Sequence, residues 1–287
     1  MQHVRSALGV LLALVLTGCR SSPSPGTPHI PPGDAGAILS RALTAAGGWD
    51  RWAALHDLGY VSTLTLRDPF GEVTSESIGW YMAPLHAGMH ARMESIGLAT
   101  DVTLGASPSA TWMLRDGQPV TDPQRLALTR FNLVSNLFWF ALPFAVAELP
   151  CTVTTLGDVE GAHAVRWQRL KVVFEARDPA VPGEWFVLYF NNTSGLIDRV
   201  YARISAPFLR HTLWLGEWID YRDWNGLKKE RQRKFYPADD SGSIVGAVVA
   251  EQLVEHVQFN NGYTAEQFAP PAAASAAAAS GGHGAAL

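Results

Sequence analysis

Three groups of side chains in this sequence could do chemistry. His86 and His90 are four residues apart, the spacing at which two imidazoles on one helix face bind a metal ion. Their context, HAGMHARME, lacks the glutamate of a zinc-protease motif and is typical of a strand, so we predict no metal site. Glu217 and Asp220 lie among tryptophans, an arrangement that also occurs on sugar-cleaving faces, where two carboxylates are needed. Strand alternation predicts that these two point to opposite faces, so an enzyme is the less favoured interpretation.

The third group is a thiol near the N-terminus. Cys19 follows Leu16-Thr17-Gly18 at the end of an uncharged run that begins at Ala7. This run has the length of a signal-peptide apolar segment and is shorter than the roughly 20 residues that span a bilayer as a helix. The pattern resembles the lipobox of bacterial lipoproteins, in which the thiol receives a diacylglyceryl group and cleavage follows in front of the cysteine. The resemblance implies a lipid anchor on Cys19. By the same resemblance, Arg20 in place of an aspartate favours the outer membrane, with the protein facing the periplasm.

The chain divides into four predicted segments. Residues 1–18 are a signal peptide, and residues 19–33 are the lipidated cysteine with a Ser/Pro-rich extended tether. Residues 34–268 form one folded domain, which is long enough to bury a substantial core. Residues 269–287 consist mostly of Ala, Ser and Gly, and we predict a disordered tail.

Composition limits the partners of the folded domain. Removal of residues 1–18 removes Arg5 and changes the formal net charge from −4 to −5, which is not the balance of a nucleic-acid-binding protein. With Cys19 lipidated, Cys151 has no second cysteine to pair with, and we interpret it as a small buried strand residue. We predict no cofactor and expect a monomer.

The folded domain begins with helix and continues as strands. Apolar residues at helical spacing predict an amphipathic helix that ends at Gly47-Gly48, with a second short helical turn over residues 49–55. From Leu58 the apolar period becomes two. Strands are predicted over 58–66, 72–82, 86–94, 109–115, 151–156, 163–175, 185–191, 196–205, 213–223, 227–236 and 247–259. Asn225-Gly226 between two of these is a strong hairpin signal, so we predict an antiparallel meander.

One apolar segment, residues 122–149, interrupts the strands, and we call it the plug segment. Its apolar residues recur at helical spacing, and Pro143 should end the helix near Ala141. The run Phe138-Trp139-Phe140 is too apolar for a solvated loop. A helix of this kind must pack on another layer, and the concave face of the sheet is the available partner.

This order of elements resembles the lipoprotein-localisation superfamily of LolA/LolB-like half-barrels, and most closely its uncharacterised lipoproteins. The residues that carry the resemblance are AGGWDRW at 46–52, the plug sequence NLFWFALPFAVAEL, and the hairpin from Tyr189-Phe190 to Gly195-Leu196. It covers about residues 35–268 of the chain. It implies a mainly β (α+β) fold in which a strongly curved antiparallel sheet, a half-barrel, wraps around a few helices.

The resemblance also implies an apolar cavity that accepts acyl chains between the sheet and the plug segment. The ligand-binding residues that we predict on this basis are Phe131, Leu137, Phe138, Trp139, Phe140, Phe144, Phe186, Leu188 and Phe190. LolB-like proteins are acylated receptors that also expose an apolar loop for membrane insertion, and the candidate here is Ser205–Leu209. We therefore predict a membrane-anchored, non-enzymatic lipoprotein that binds an acyl chain, lipid or lipoprotein. The alternative is a structural or interaction lipoprotein whose apolar interior is filled and holds no ligand.

Overall fold

The structure is a computed structural model that describes residues 26–97, 100–174, 181–204, 212–272 and 274–275. The predicted signal peptide, the lipobox with Cys19, most of the predicted tail and the loop Ser205–Leu209 lie outside the described residues. No helix among the described residues is long and apolar enough to cross a membrane.

The described residues form one antiparallel sheet of thirteen strands, which is the body of the structure. The strands are β1 Asp57–Arg67, β2 Val73–Pro84, β3 Ala91–Ser95, β4 Val102–Ala106, β5 Thr111–Arg115, β6 Gln118–Pro119, β7 Cys151–Glu160, β8 Arg166–Phe174, β9 Trp185–Asn191, β10 Ile197–Arg203, β11 Leu213–Trp224, β12 Leu227–Pro237 and β13 Ala250–Phe259. Strands β1 to β6 run as a meander to one edge, and β7 to β13 run from the other edge back to β1. The sheet is open, and its curvature makes a half-barrel, as the sequence predicted.

In the described part of the chain four α-helices accompany the sheet: α1 Gly33–Ala45, α2 Trp49–Ala53, α3 Pro123–Ala141 and α4 Phe144–Glu148. Because α3 and α4 connect β6 to β7, which are the two edge strands, this connection has to cross one face of the sheet. The Asp122 carboxylate caps α3 by accepting from the backbone N–H groups of Gln124 (2.9 Å) and Arg125 (3.4 Å). The helix ends at Ala141, before Pro143, as predicted.

The core lies between the sheet and the plug segment. Phe140 is fully buried, with its ring centroid 5.4 Å from that of Tyr60 and 6.2 Å from that of Phe259. Phe138 packs against Phe186 with ring centroids 4.8 Å apart. A single cluster of buried apolar side chains continues from these rings to α1.

Helices α1 and α2 close one end of the half-barrel, which we call the cap end. Gly47 has a φ of +119°, and a Cβ atom there would lie 2.3 Å from the carbonyl oxygen of Gly226, so only glycine allows this contact between the helical corner and the β11–β12 turn. Lys228 N–H donates to the Ala46 carbonyl at 3.0 Å. The chain enters at the same end, because His29 N–H donates to the Ala147 carbonyl of α4 at 2.8 Å. The last residues of the predicted tether are therefore held against the body.

Three details differ from the sequence-based expectations. The strand predicted over 86–94 begins only at Ala91, because His86 has a φ of +61° and residues 85–90 form a bend. Strand β4 and the two-residue β6 were not predicted, since their short segments lack a long alternating pattern. Alternation in β11 fails at Asp220, whose φ is +55°. As a result Tyr221 packs against the core behind Trp218, while Asp220 is exposed.

Candidate ligand-binding cavity

A cavity of about 420 Å³ lies between α3 and the inner face of strands β1, β11, β12 and β13. Its apolar lining residues are Leu64, Leu66, Leu128, Phe131, Trp139, Ile204, Trp214, Phe235, Val249 and Ala250. Its polar lining residues are Arg67, Thr74, Asn132, Ser135 and Gln252. This volume falls within the 300–1,000 Å³ that is common for small-molecule sites, and a mostly apolar lining with a few polar groups is typical of them.

One face of α3 supplies a wall of the cavity. Leu128, Asn132, Ser135 and Trp139 follow one another at spacings of four, three and four residues, which places them on a single stripe, and Phe131 lies beside Asn132 at its edge. Leu133 and Phe140, seven residues apart on another face of the helix, are fully buried in the core, and Phe138 is also buried. The helix therefore separates the packed core from the cavity.

The cavity opens at the end of the half-barrel opposite the cap end, and we call this the mouth. Leu66 near the end of β1 pairs with Ala250 at the start of β13, and Ala250 also pairs with Phe235 near the end of β12. Leu66 and Leu128 are 40% and 42% exposed, so the cavity reaches solvent there. Asp57 and Phe259, at the other ends of β1 and β13, lie at the cap end.

The β1–β2 turn stands beside the mouth and carries an exposed aromatic side chain. Phe70 is 90% exposed, and Val73 at the start of β2 is 53% exposed. The Asp68 carboxylate holds the turn by accepting from the N–H groups of Phe70 and Glu72, both at 2.9 Å. Arg67 at the mouth pairs with Glu251 at 2.8 Å.

A buried polar network fixes the wall of the cavity that β12 and β13 supply. Arg233 is fully buried and donates from Nε to Glu230 at 2.7 Å and from Nη1 to the Gln252 side-chain oxygen at 2.9 Å. The Gln252 amide in turn donates to Ser62 Oγ at 2.8 Å and to the side-chain oxygen of Asn136 on α3. Every polar group of Gln252 is thereby used, and α3 is fastened to the sheet beneath the cavity.

Lys229 adds a second cation to this network. It is 1% exposed, its Nζ lies 3.9 Å from Glu230 Oε2, and it donates to the Leu142 carbonyl at the end of the plug segment's long helix. Burial lowers the pKa of Lys229 to about 8, and the Glu230 carboxylate offsets only part of this effect. Two cations thus share one buried carboxylate.

The nine predicted ligand-binding residues occupy different places. Phe131 and Trp139 line the cavity. Phe138, Phe140, Phe144, Phe186, Leu188 and Phe190 are at most 2% exposed and belong to the core cluster, and Leu137 is half-buried against it. Ligand binding by any of the nine stays a prediction. The sequence-based prediction selected the large aromatic residues. The cavity-lining residues Leu128, Asn132, Ser135 and Trp139 could have been identified only by comparing the two faces of α3.

The histidines and carboxylates that the sequence offered as candidate metal-binding or catalytic groups make contacts with neighbouring side chains and backbone. His86 Nδ1 lies 2.9 Å from Glu148 Oε1, and Trp52 Nε1 donates to the same carboxylate at 3.2 Å. Among the described residues no group of three or more His, Cys, Asp or Glu side chains could hold a metal ion.

Glu217 and Asp220 on β11 are each paired with arginine. Glu217 lies 3.1 Å from Arg199, and Asp220 lies 2.9 Å from Arg222 and 3.4 Å from Arg231. The hydrogen bond from Arg222 lowers the pKa of Asp220. Cys151 is a buried strand residue, as predicted, and its thiol contacts the Val146 carbonyl at 3.3 Å.

Comparison with solved structures identifies the class of fold. The structure is similar to a LolA superfamily protein from Nitrosomonas europaea, with a TM-score of 0.52, 10% sequence identity, and coverage of 82% of this chain and 96% of that one. The chain therefore has a LolA-like fold, as the sequence predicted. No protein-family model and no curated protein match the sequence.

Two further structures align over a similar length with lower scores. One, from Vibrio parahaemolyticus, is described as an outer membrane lipoprotein-sorting protein domain, with a TM-score of 0.47, 10% identity and coverage of 81% of this chain and 94% of that one. The other is a DUF1329 family protein from Desulfovibrio piger, with a TM-score of 0.47, 8% identity and coverage of 81% and 96%.

Proposed function

We propose that this chain is a lipid-anchored envelope protein that binds a hydrophobic ligand, such as an acyl chain, in the cavity beneath α3. The observation that carries the proposal is an apolar space of about 420 Å³ beside an otherwise filled core. Each methylene group that such a space removes from water contributes about 0.8 kcal/mol. The buried network around Gln252 supports the proposal, because it holds α3 and the sheet in fixed positions on either side of the cavity.

The proposed role is binding rather than catalysis. The candidate acids and bases His86, Glu217 and Asp220 are engaged with charged partners and do not line the cavity. The polar residues that line the cavity are amide, hydroxyl and guanidinium groups. Such groups orient a ligand without transferring protons to it.

The anchor and the mouth constrain where the ligand is exchanged. If Cys19 carries lipid, the free tether ends at His29, which is bound to α4 at the cap end. The chain from Cys19 to His29 reaches at most about 35 Å when fully extended, and the eleven residues of β1 span about the same distance. The mouth can therefore reach the anchoring membrane only when the tether runs extended along the body.

We place the lipid contact of the mouth at Phe70. LolB-like proteins expose an apolar loop for membrane insertion, and the candidate Ser205–Leu209 lies outside the described residues. Phe70 is 90% exposed beside the mouth, and burial of a phenylalanine side chain in lipid contributes about 1.5–3 kcal/mol. Its position allows contact with lipid and access to the cavity at the same end of the molecule.

Displacement of a fluorescent fatty acid tests ligand binding directly. Ala250→Phe places a ring inside the cavity, and we expect it to weaken binding at least tenfold. Val173→Phe makes the same kind of enlargement at a 40% exposed strand position outside the cavity and should bind as the unmodified protein does. Equal binding by both variants, with folding confirmed by circular dichroism, would place the site elsewhere.

Native mass spectrometry of protein extracted from membranes distinguishes the proposed ligand-binding protein from the alternative, a lipoprotein with a filled interior and no ligand. Co-purified lipid that is lost in Ala250→Phe supports the cavity. A bare mass together with no displacement of the fluorescent fatty acid favours the structural role.

A further inference from the structure

The cavity is an elongated channel that follows α3. Leu128 at the mouth and Trp139 at the far end lie on one stripe of the helix, and the eleven residues from one to the other correspond to about 16 Å along the helix axis. On the opposite wall the lining residues run from Leu66 on β1 across β13 and β12 to Trp214 on β11, which is three strand spacings or about 14 Å. The helix and the sheet therefore give the channel the same length.

The channel is open at the mouth and buried at its far end. Leu66 and Leu128 at the mouth are 40% and 42% exposed, whereas Trp139 and Ile204 at the far end are each 5% exposed. A hydrocarbon chain that enters at the mouth therefore meets a wall at Trp139.

The polar groups that a ligand can reach are concentrated near the mouth. Arg67 and Thr74 stand at the mouth itself, and Asn132 lies one helical turn inside it. Deeper in the channel, the Gln252 side chain is used within the buried network, and the hydroxyl oxygen of Ser135 is closed off from solvent. The polar end of an amphiphile is therefore stable only near the mouth, with its hydrocarbon chain directed to the far end.

The width of the channel matches one hydrocarbon chain. A volume of about 420 Å³ over a length of about 15 Å gives a mean cross-section of about 28 Å². Because nonbonded carbon atoms approach to about 4 Å, one extended chain occupies about 20 Å² and two parallel chains occupy about 40 Å². Carbon–carbon bonds of about 1.5 Å advance an extended chain by about 1.25 Å per carbon, so the channel holds about twelve carbons.

Buried hydrogen bonds hold α3 at this distance from the sheet. The Tyr81 hydroxyl on β2 donates to the Leu133 carbonyl at 2.9 Å. Three residues further along the helix, the side-chain oxygen of Asn136 accepts from the Tyr60 hydroxyl at 3.1 Å and from the Gln252 amide. Widening the channel for a second chain breaks these bonds and leaves buried polar groups unpaired, which opposes the change.

We propose that the cavity takes a single-chain amphiphile, with one chain of about twelve carbons along α3 and the polar group at the mouth, and that it has no room for a second chain. The inference rests on the proposed function, because it names the class of ligand for the same cavity. Among the ligands that the sequence left open, it favours a fatty acid or a lysolipid over a lipoprotein with several acyl chains.

A series of saturated fatty acids with 8 to 18 carbons tests the length of the channel. The acids compete with a fluorescent fatty acid at concentrations below those at which they aggregate. Each added methylene should tighten binding about fourfold until the chain fills the channel. Beyond about 12 to 14 carbons we expect less than about a twofold gain for each added pair of carbons. An undiminished gain up to 18 carbons would overturn the inference.

Two phosphocholine lipids with the same number of acyl carbons test how many chains enter. Dodecanoyl lysophosphatidylcholine carries its twelve carbons in one chain, and dihexanoyl phosphatidylcholine carries them in two. We expect the single-chain lipid to displace the fluorescent fatty acid at a concentration at least about tenfold lower. Equal displacement by the two lipids would show that two chains fit side by side.

A variant at the far end tests the direction of the chain. Trp139→Leu removes part of the wall, and we expect the break in the fatty-acid series to move to acids about two carbons longer. Trp185→Leu makes the same exchange on β9 outside the cavity and should leave the break where it is. An unchanged break in Trp139→Leu, with folding confirmed by circular dichroism, would contradict a chain that ends at this residue.

The outcomes separate this inference from the proposed function. If fatty acids bind without a break in the series, or if both phosphocholine lipids bind equally, the cavity is a lipid site of another shape and only the single-chain inference is wrong. If none of the acids or lipids displaces the fluorescent fatty acid from the unmodified protein, the lipid-binding function itself is wrong, and the inference falls with it.

Discussion

The stability of this fold should increase between pH 7 and pH 9 because of Lys229. The side chain is 1% exposed, and burial lowers its pKa from 10.5 to about 8. Between these values the unfolded chain keeps the proton that the folded protein has released. The unfolded state then binds more protons, so the free energy of unfolding rises with pH. The energetic cost of the buried ammonium group is present at pH 7 and is relieved as pH rises through 8.

The size of the effect follows from the two pKa values. With a folded pKa of about 8 and an unfolded pKa of 10.5, linkage gives a gain of about 1 kcal/mol between pH 7 and pH 9. Burial raises the pKa values of Tyr60, Tyr81 and Tyr221, which stabilises their neutral forms in the folded protein. Their contribution has the opposite sign and becomes large only near and above pH 10, so pH 7 to 9 isolates the lysine.

Urea unfolding of the unmodified protein and of Lys229→Met at pH 7, 8 and 9 measures this contribution. Methionine fills a similar volume and leaves the buried pair of Glu230 and Arg233 neutral as a whole. We expect the variant to lose the rise with pH. Lys228→Met, at the exposed neighbouring position, should retain it. A rise of the same size in Lys229→Met, or none in the unmodified protein, would show that the ammonium group is not the source.

Four further predictions address the anchor, the core, the chain end and the mouth. Cys19→Ala should move the protein from the membrane to the soluble fraction of cell envelopes; retention in the membrane would contradict lipidation at Cys19. Phe140→Ala removes a fully buried ring from the core and should lower the free energy of unfolding by about 3–5 kcal/mol in urea unfolding, more than Leu128→Ala at the partly exposed mouth. Asp57→Ala leaves the N–H groups of Asn261, Gly262 and Tyr263 without their shared carboxylate and should cost at least about 2 kcal/mol, with increased hydrogen exchange at these residues as the local readout. Phe70→Ser should slow uptake of acyl chains from vesicles without changing the affinity for a monomeric fatty acid, and unchanged uptake would remove the lipid contact from this turn.

Local sequence patterns were sufficient to predict most strands of the sheet. Alternation from Leu58 to Leu66 and the Asn225-Gly226 turn predicted strands and a hairpin that the structure confirms, because period-two burial and turn geometry act over a few neighbouring residues. Pro143 ended the predicted helix near Ala141 for the same reason, since its ring and missing N–H act on the preceding turn. The alternation argument was wrong past Trp218, because the positive φ of Asp220 is a backbone feature with no counterpart in the apolar pattern.

The location of the cavity was decided only in three dimensions. From the sequence alone, an apolar plug segment between two sets of strands and a half-barrel around it could be predicted. Which stripe of α3 fills the core and which borders an empty space depends on the side chains of four distant strands. Phe140 meets Tyr60 and Phe259 and is enclosed, whereas Ser135 and Trp139 face a gap beside Ala250. Most of the large aromatic residues that stand out in the plug segment fill the core, as Phe138, Phe140 and Phe144 do. The wall of the candidate site combines aromatic side chains, among them Phe131 and Trp139, with the polar residues Asn132 and Ser135.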